Sequence, residues 1–231
     1  MHRKNKYVDF VSDEHFLKCV KCVCDAYPIK SGSIDMKRLR KNGIDIFKML
    51  FDVVNSNISV DDWVKNEVIR QSDKSINNKV GEFHQKLLGG VKGWVDLGIG
   101  DDSKVDLKNN ENTIFIELKN KFNTVNSDSL IKVRDKLVLA VKNNPKAIAY
   151  WAYITKKDGS SGEAIWNYKV DNNPQIKCMW VARVYGLVTN YATSLEKTWK
   201  AIPQAINDLF NKKLSSDDLS KLMSFFKTGI S

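Results

Sequence analysis

Val105-Asp106-Leu107, a polar turn Lys108-Asn109-Asn110-Glu111-Asn112, and Thr113-Ile114-Phe115-Ile116-Glu117-Leu118-Lys119 form the stretch whose reading decides the fold. Two β-rich runs around an Asn-rich turn predict a hairpin. In the second run Ile114, Ile116 and Leu118 alternate with Phe115, Glu117 and Lys119, so Glu117 and Lys119 share one face. Closure between Lys108 and Thr113 would set Asp106 opposite Phe115, pointing to that same face one diagonal step from Glu117. Two carboxylates and an ammonium then converge. Such a pair offers hard oxygen ligands to Mg²⁺, which keeps several waters and takes one or two protein carboxylates together with substrate phosphate. Beside it, the Lys119 ammonium can orient or activate a water and offset charge on an attacked phosphate. The same three residues also read as a solvated strand face.

The spacing Asp106, Glu117, Lys119 resembles the metal-dependent nuclease motif PD-(D/E)XK, with Val105 where that superfamily often has proline. The flanks narrow the resemblance. Glu117-Leu118-Lys119-Asn120-Lys121-Phe122-Asn123-Thr124-Val125-Asn126-Ser127 resembles a segment of the type II restriction endonucleases that cut GGNCC-like sites. Gly81-Glu82-Phe83-His84-Gln85-Lys86-Leu87-Leu88-Gly89 is similar to the helix before their catalytic hairpin, and Tyr185-Gly186-Leu187-Val188-Thr189 fits their C-terminal pattern. The resemblance runs from about residue 80 to about residue 210, and the first eighty residues add little to it. It implies a Mg²⁺-dependent type II endonuclease that acts on double-stranded DNA as a homodimer. Asp106 and Glu117 would hold the metal, Lys119 would position or activate the water, and Glu82 would support them. Glu82 reads equally as a solvated helix carboxylate. His84 and Gln85 beside it are weaker candidates.

Composition agrees. With 231 residues and 42% apolar content the chain can bury a sizeable core. A net charge of +10 asks for an anionic partner, and nucleic acid is the usual one. No long apolar run or signal peptide is present, which predicts a soluble cytoplasmic protein. With 3 histidines, His2, His15 and His84, a histidine-metal or serine-triad mechanism has little material. Cys19, Cys22 and Cys24 after His15 could be drawn as a zinc site, but their intervals suit a knuckle poorly and Cys178 is remote. Phe16, Cys19, Val20, Val23 and Tyr27 instead recur as one face of a helix opened by Ser12 or Asp13, which makes the thiols core residues.

The chain predicts an α/β fold, a mixed β-sheet flanked by helices as in restriction endonucleases, with a helical N-terminal region over 1–78 and the nuclease core over 79–231. Helices are expected up to Pro28, from about Asp35 to Val54, and from Ser59 with Asp62 as capping partner. The last of these gives way to the polar stretch Gln71 to Asn78. A helix follows the hairpin from Ser127 to about Asn143, then strands Ala147 to Thr155 and Cys178 to Thr189, then a helix capped by Thr193 and Glu196.

Asn120, Lys121, Asn123, Thr124 and Asn126 leave the catalytic strand as a block dense in donors, which by itself also reads as a turn and for which the resemblance implies phosphate and base-edge contacts. Arg134 falls inside the apolar stripe Leu130, Val133, Leu137, Val138, Ala140 and Val141, so it needs a buried partner or an edge facing DNA or a second subunit. Arg134 and Arg183 are favoured for reading guanine, since a bidentate arginine is the commonest guanine contact. Two other readings stand beside this one: a repair or junction-resolving nuclease without fixed sequence, and a DNA-binding protein without catalysis.

Overall fold

The computed structural model describes residues 5–27, 43–98, 105–123, 126–167 and 172–230, so Thr124 and the expected start of the second helix lie outside the described residues. The chain divides into two compact units, Cys22–Val80, and Met1–Lys21 with Gly81–Ser231.

In the larger unit a mixed sheet has six strands: β1 (Trp94–Asp96), β2 (Leu107–Asn109), β3 (Ile114–Lys121), β4 (Ile148–Thr155), β5 (Gly162–Ile165) and β6 (Ile176–Trp180). Their order is β1-β2-β3-β4-β6-β5. The centre, β3, β4 and β6, is parallel, while β1, β2 and β5 join antiparallel. The described residues of the two units together form seven helices, and the expected α/β fold stands. They are α1 (Asp13–Cys24), α2 (Ile46–Ser56), α3 (Val60–Gly89), α4 (Ser127–Asn143), α5 (Ala182–Thr189), α6 (Ser194–Phe210) and α7 (Ser216–Ile230). None is long and apolar enough to cross a membrane.

The central strands place apolar residues on both faces, as strands covered on two sides do. On one face Phe115, Ala149 and Ile176 pack under Val133, Leu137, Ala140 and Val141 of α4. On the other lie Ile116, Leu118, Tyr150, Ala152 and Met179, all buried. Helix α5 packs on β4 and β6, and its buried Tyr185 meets His84 of α3. At that end of α3, a Cβ built on Gly81 would lie 4.0 Å from the Asn120 side chain.

The hairpin register differs from the expected one. Leu107 pairs with Ile116 and Lys108 with Phe115, so the turn closes two residues later and Asp106 stands level with Glu117. Asn109 sets this closure: its side-chain oxygen accepts the N–H groups of Thr113 and Ile114, both at 2.9 Å, and its amide donates to Thr113 Oγ1 at 2.7 Å. Asn112 takes the left-handed conformation at φ 52° that Asn tolerates. A slip of two preserves the facing of every side chain, whereas a slip of one would have turned Asp106 away.

Three other expectations change. Gln71 to Asn78 continues α3 rather than breaking it. The run Cys178 to Thr189 is a strand only to Trp180. Val181 at φ 56° turns the chain, and Val184, Tyr185, Val188 and Thr189 are buried at helical spacing in α5. Thr193 makes no side-chain cap bond to α6. Elsewhere the caps follow the sequence. Ser59 Oγ accepts the Asp62 N–H at 3.0 Å and Ser12 Oγ accepts the His15 N–H at 3.2 Å. A cap not expected is Asn126, whose Oδ1 accepts the Ser129 N–H at 2.9 Å at the start of α4.

Candidate active site

Strand β3 carries Glu117 into a buried position, with its side chain only 2% exposed. An isolated carboxylate there would cost several kcal/mol, so it needs cationic partners. Two are present. Lys119 Nζ donates to Oε1 at 2.8 Å, and Lys136 Nζ from α4 donates to Oε1 at 2.9 Å and to Oε2 at 3.0 Å. Asp106, at the start of the hairpin, completes the group. Its Oδ2 accepts the Leu118 backbone N–H at 2.7 Å and lies 3.7 Å from Lys119 Nζ.

The charges tune one another. Burial, reinforced by the neighbouring Glu117 charge, raises the Asp106 carboxyl above its ordinary value, against the pull of Lys119 and the Leu118 N–H. Burial presses Lys119 downward, but Asp106 and Glu117 outweigh it and hold the amine above its ordinary value. Lys119 is therefore an ammonium in this state, able to donate hydrogen bonds and stabilise negative charge rather than to abstract a proton.

The donor set suits a hard divalent cation. Two carboxylates, one buried and one pinned by a backbone N–H, both lie within 3.7 Å of Lys119 Nζ, and Mg²⁺ takes one or two protein carboxylates when water and phosphate fill its other positions.

Other predicted residues sit as follows. Glu82 pairs with Lys86 one turn along α3, at 2.5 Å. Gln85 donates to Asp96 at 2.7 Å, and the desolvated His84 shares a 2.7 Å hydrogen bond with the Tyr185 hydroxyl. Asn120 is half-buried near the end of β3, whereas Lys121, its last residue, and Asn123 beyond it are exposed. Asn126 is exposed with its oxygen engaged as the α4 cap. Arg134 is 4% exposed, donates from Nη1 to the Trp166 carbonyl at 2.8 Å, and stacks its guanidinium over the Trp166 ring at 5.3 Å. Arg183, at the start of α5, is half exposed and donates from Nε to Glu163 at 2.8 Å. Among the cysteines Cys19 is buried with Phe16 and Val20, while Cys22 and Cys24 are half-buried and Tyr27 is exposed beyond the helix.

Sequence reasoning missed Lys136. Its signal was available: Val133, Leu137 and Ala140, three before, one after and four after it, are all buried, which turns Lys136 toward the sheet. Trp151 and Tyr153 fall within the expected strand Ala147 to Thr155. The β4 register places them beside Glu117 and Lys119, on the same face.

Comparison with known proteins extends the match well beyond the hairpin. The family model of the Eco47II restriction endonuclease matches residues 8–211, so the helical N-terminal residues share in it, contrary to the expectation that they add little. The type II restriction enzyme Sau96I of Staphylococcus aureus is 32% identical over 221 residues, covering 90% of this chain and 83% of that protein. The type II restriction enzyme Eco47II of Escherichia coli is 32% identical over 229 residues, covering 92% of each.

Proposed function

Because the chain belongs to the Eco47II restriction endonuclease family, a family of site-specific deoxyribonucleases, we propose that Asp106, Glu117 and Lys119 form its catalytic centre and that Mg²⁺ is its cofactor. The observation that carries this reading is the convergence of the three side chains on one face of a paired hairpin, with Glu117 buried and Lys119 bonded to it at 2.8 Å.

Asp106 and Glu117 would hold the ion, which when bound supplies Lewis-acid polarisation of the scissile phosphate and a more acidic water. The chain does the rest. The Leu118 N–H fixes the Asp106 carboxylate beside β3. Lys119 presents its ammonium to the attacking water and to the phosphate oxygens, where negative charge grows as the phosphorus–oxygen bond forms. Glu82, on the helix next to Asn120, serves as a supporting carboxylate.

The substrate is double-stranded DNA, in keeping with the +10 charge, and the target is a short palindrome of the GGNCC type cut by a homodimer in the cytoplasm. Lys121 and Asn123, exposed at and past the end of the catalytic strand, would grip backbone phosphates, together with Asn120, Thr124 and Asn126. Arg183 is the guanine-reading arginine of this proposal. Its guanidinium is half exposed, whereas Arg134 is enclosed by Trp166 and is proposed to act through the fold.

Digestion of a plasmid of known sequence with Mg²⁺, followed by mapping of the ends, tests the reading. Discrete fragments ending within GGNCC sites are expected. Ends at an unrelated site would overturn the target, and cleavage unaffected by chelation would overturn the cofactor.

A further inference from the structure

The lysine that sequence reasoning missed takes both oxygens of Glu117, the very atoms a cation would need. We infer that Lys136 is a positioning residue that occupies Glu117 until cation and DNA arrive together, and so couples the two binding events. This rests on the reading that Asp106 and Glu117 hold the metal.

Two carboxylates and two ammonium groups make a formally neutral cluster. A divalent cation entering it must take an oxygen from an ammonium and leaves an excess of positive charge in a half-desolvated place, where such charge is poorly screened. Lys119 cannot readily yield, since it lies on β3 itself and faces both carboxylates. Lys136 can. The two side chains are about equally exposed, but Lys136 rises from a different element, α4, and its ion pair is with Glu117, so its ammonium can withdraw toward solvent without moving the hairpin or leaving Asp106. Once withdrawn it lacks an anion, and a phosphodiester beside the site supplies one. The same phosphate offsets the charge of the cation. Cation alone is therefore disfavoured, DNA alone meets a neutral site, and each strengthens the other's binding by the same factor, as linkage requires.

Calcium titration of the full chain, with and without a duplex bearing the mapped cleavage site, reads the coupling directly. Lys136→Met is expected to bind Ca²⁺ roughly tenfold more tightly than the parent without DNA, because one positive charge is gone from a poorly screened site. The gain on adding DNA should shrink by the same factor. Lys136→Arg, which keeps the charge, should restore weak DNA-free binding. Lys136→Gln, which can still hydrogen-bond Glu117, gives the same comparison should the methionine variant fold poorly. Ca²⁺ affinity without DNA that is equal to or weaker than the parent's in the neutral variants overturns the inference. Glu117→Gln separates this from the larger reading. If it leaves Ca²⁺ binding intact, the metal site itself is misplaced, and if it weakens binding while the Lys136 variants change nothing, only the coupling fails.

Discussion

The Asp106 carboxylate accepts the backbone N–H of Leu118 at 2.7 Å, so the first acid of the site is fastened to the peptide that separates the second acid, Glu117, from Lys119. The hairpin's own hydrogen bonding thus sets the geometry of the group. Asp106→Asn keeps an oxygen for that N–H while removing a carboxylate whose charge is disfavoured by burial and by Glu117. It is expected to abolish cleavage without lowering the melting temperature. Asp106→Ala leaves the N–H unpaired and should cost about 1–3 kcal/mol of stability. Denaturant unfolding of the two variants checks the contrast, and equal destabilisation would show that the bond is not what orients Asp106.

Arg134 donates to the Trp166 carbonyl and covers its ring. Arg134→Lys keeps the charge and loses the planar fork, so unfolding should become easier by roughly 1–3 kcal/mol while the relative cleavage of sites differing by one base pair stays the same. Relaxed discrimination at one base pair with an unchanged melting temperature would instead return Arg134 to the DNA interface.

His84 is held by burial at a pKa of about 4, below its ordinary 6.5. The folded form refuses a proton that the unfolded chain accepts, so stability falls as pH drops from 6.5 toward 4 and is indifferent to this group above 6.5. Melting temperatures of the parent and of His84→Asn, compared across that window, isolate its share from that of the carboxylates. Parallel pH profiles would mean that His84 is already solvated in the fold.

What the sequence made legible was whatever repeats at short range. Alternation along β3 put Glu117 and Lys119 on one face, and Ser12 and Ser59 marked helix starts that the structure keeps. The register of β2 was misplaced by two because the Asn109 side chain, rather than loop length, closes the turn. The run from Cys178 to Thr189 was misread because a short apolar stretch fits a buried strand and a buried helix equally, and the change at Val181 is a backbone event with no marker such as glycine. Lys136 and Trp166 escaped notice for a different reason: their partners, Glu117 and Arg134, lie 19 and 32 residues away, and single-sequence patterns do not reach across elements.

DNA binding in Ca²⁺, used in place of a cation that supports cleavage, should weaken steeply with salt, the logarithm of affinity falling by about 0.9 for each phosphate neutralised in the logarithm of salt concentration. Lys121→Ala should reduce that slope by about 1 while leaving preference among sequences intact. A nearly flat dependence in the parent would exclude a lysine-lined groove on the phosphates.

Lys119→Ala addresses the central claim most directly, with cleavage and DNA affinity measured on the same folded preparation. Because the ammonium acts mainly as charge gathers on the phosphate, cleavage should be lost while affinity for the duplex stays near the parental value, and raising Mg²⁺ or substituting Mn²⁺ should not restore it. Cleavage near the parental rate would contradict the account, leaving Asp106, Glu117 and Lys119 as a structural ion cluster.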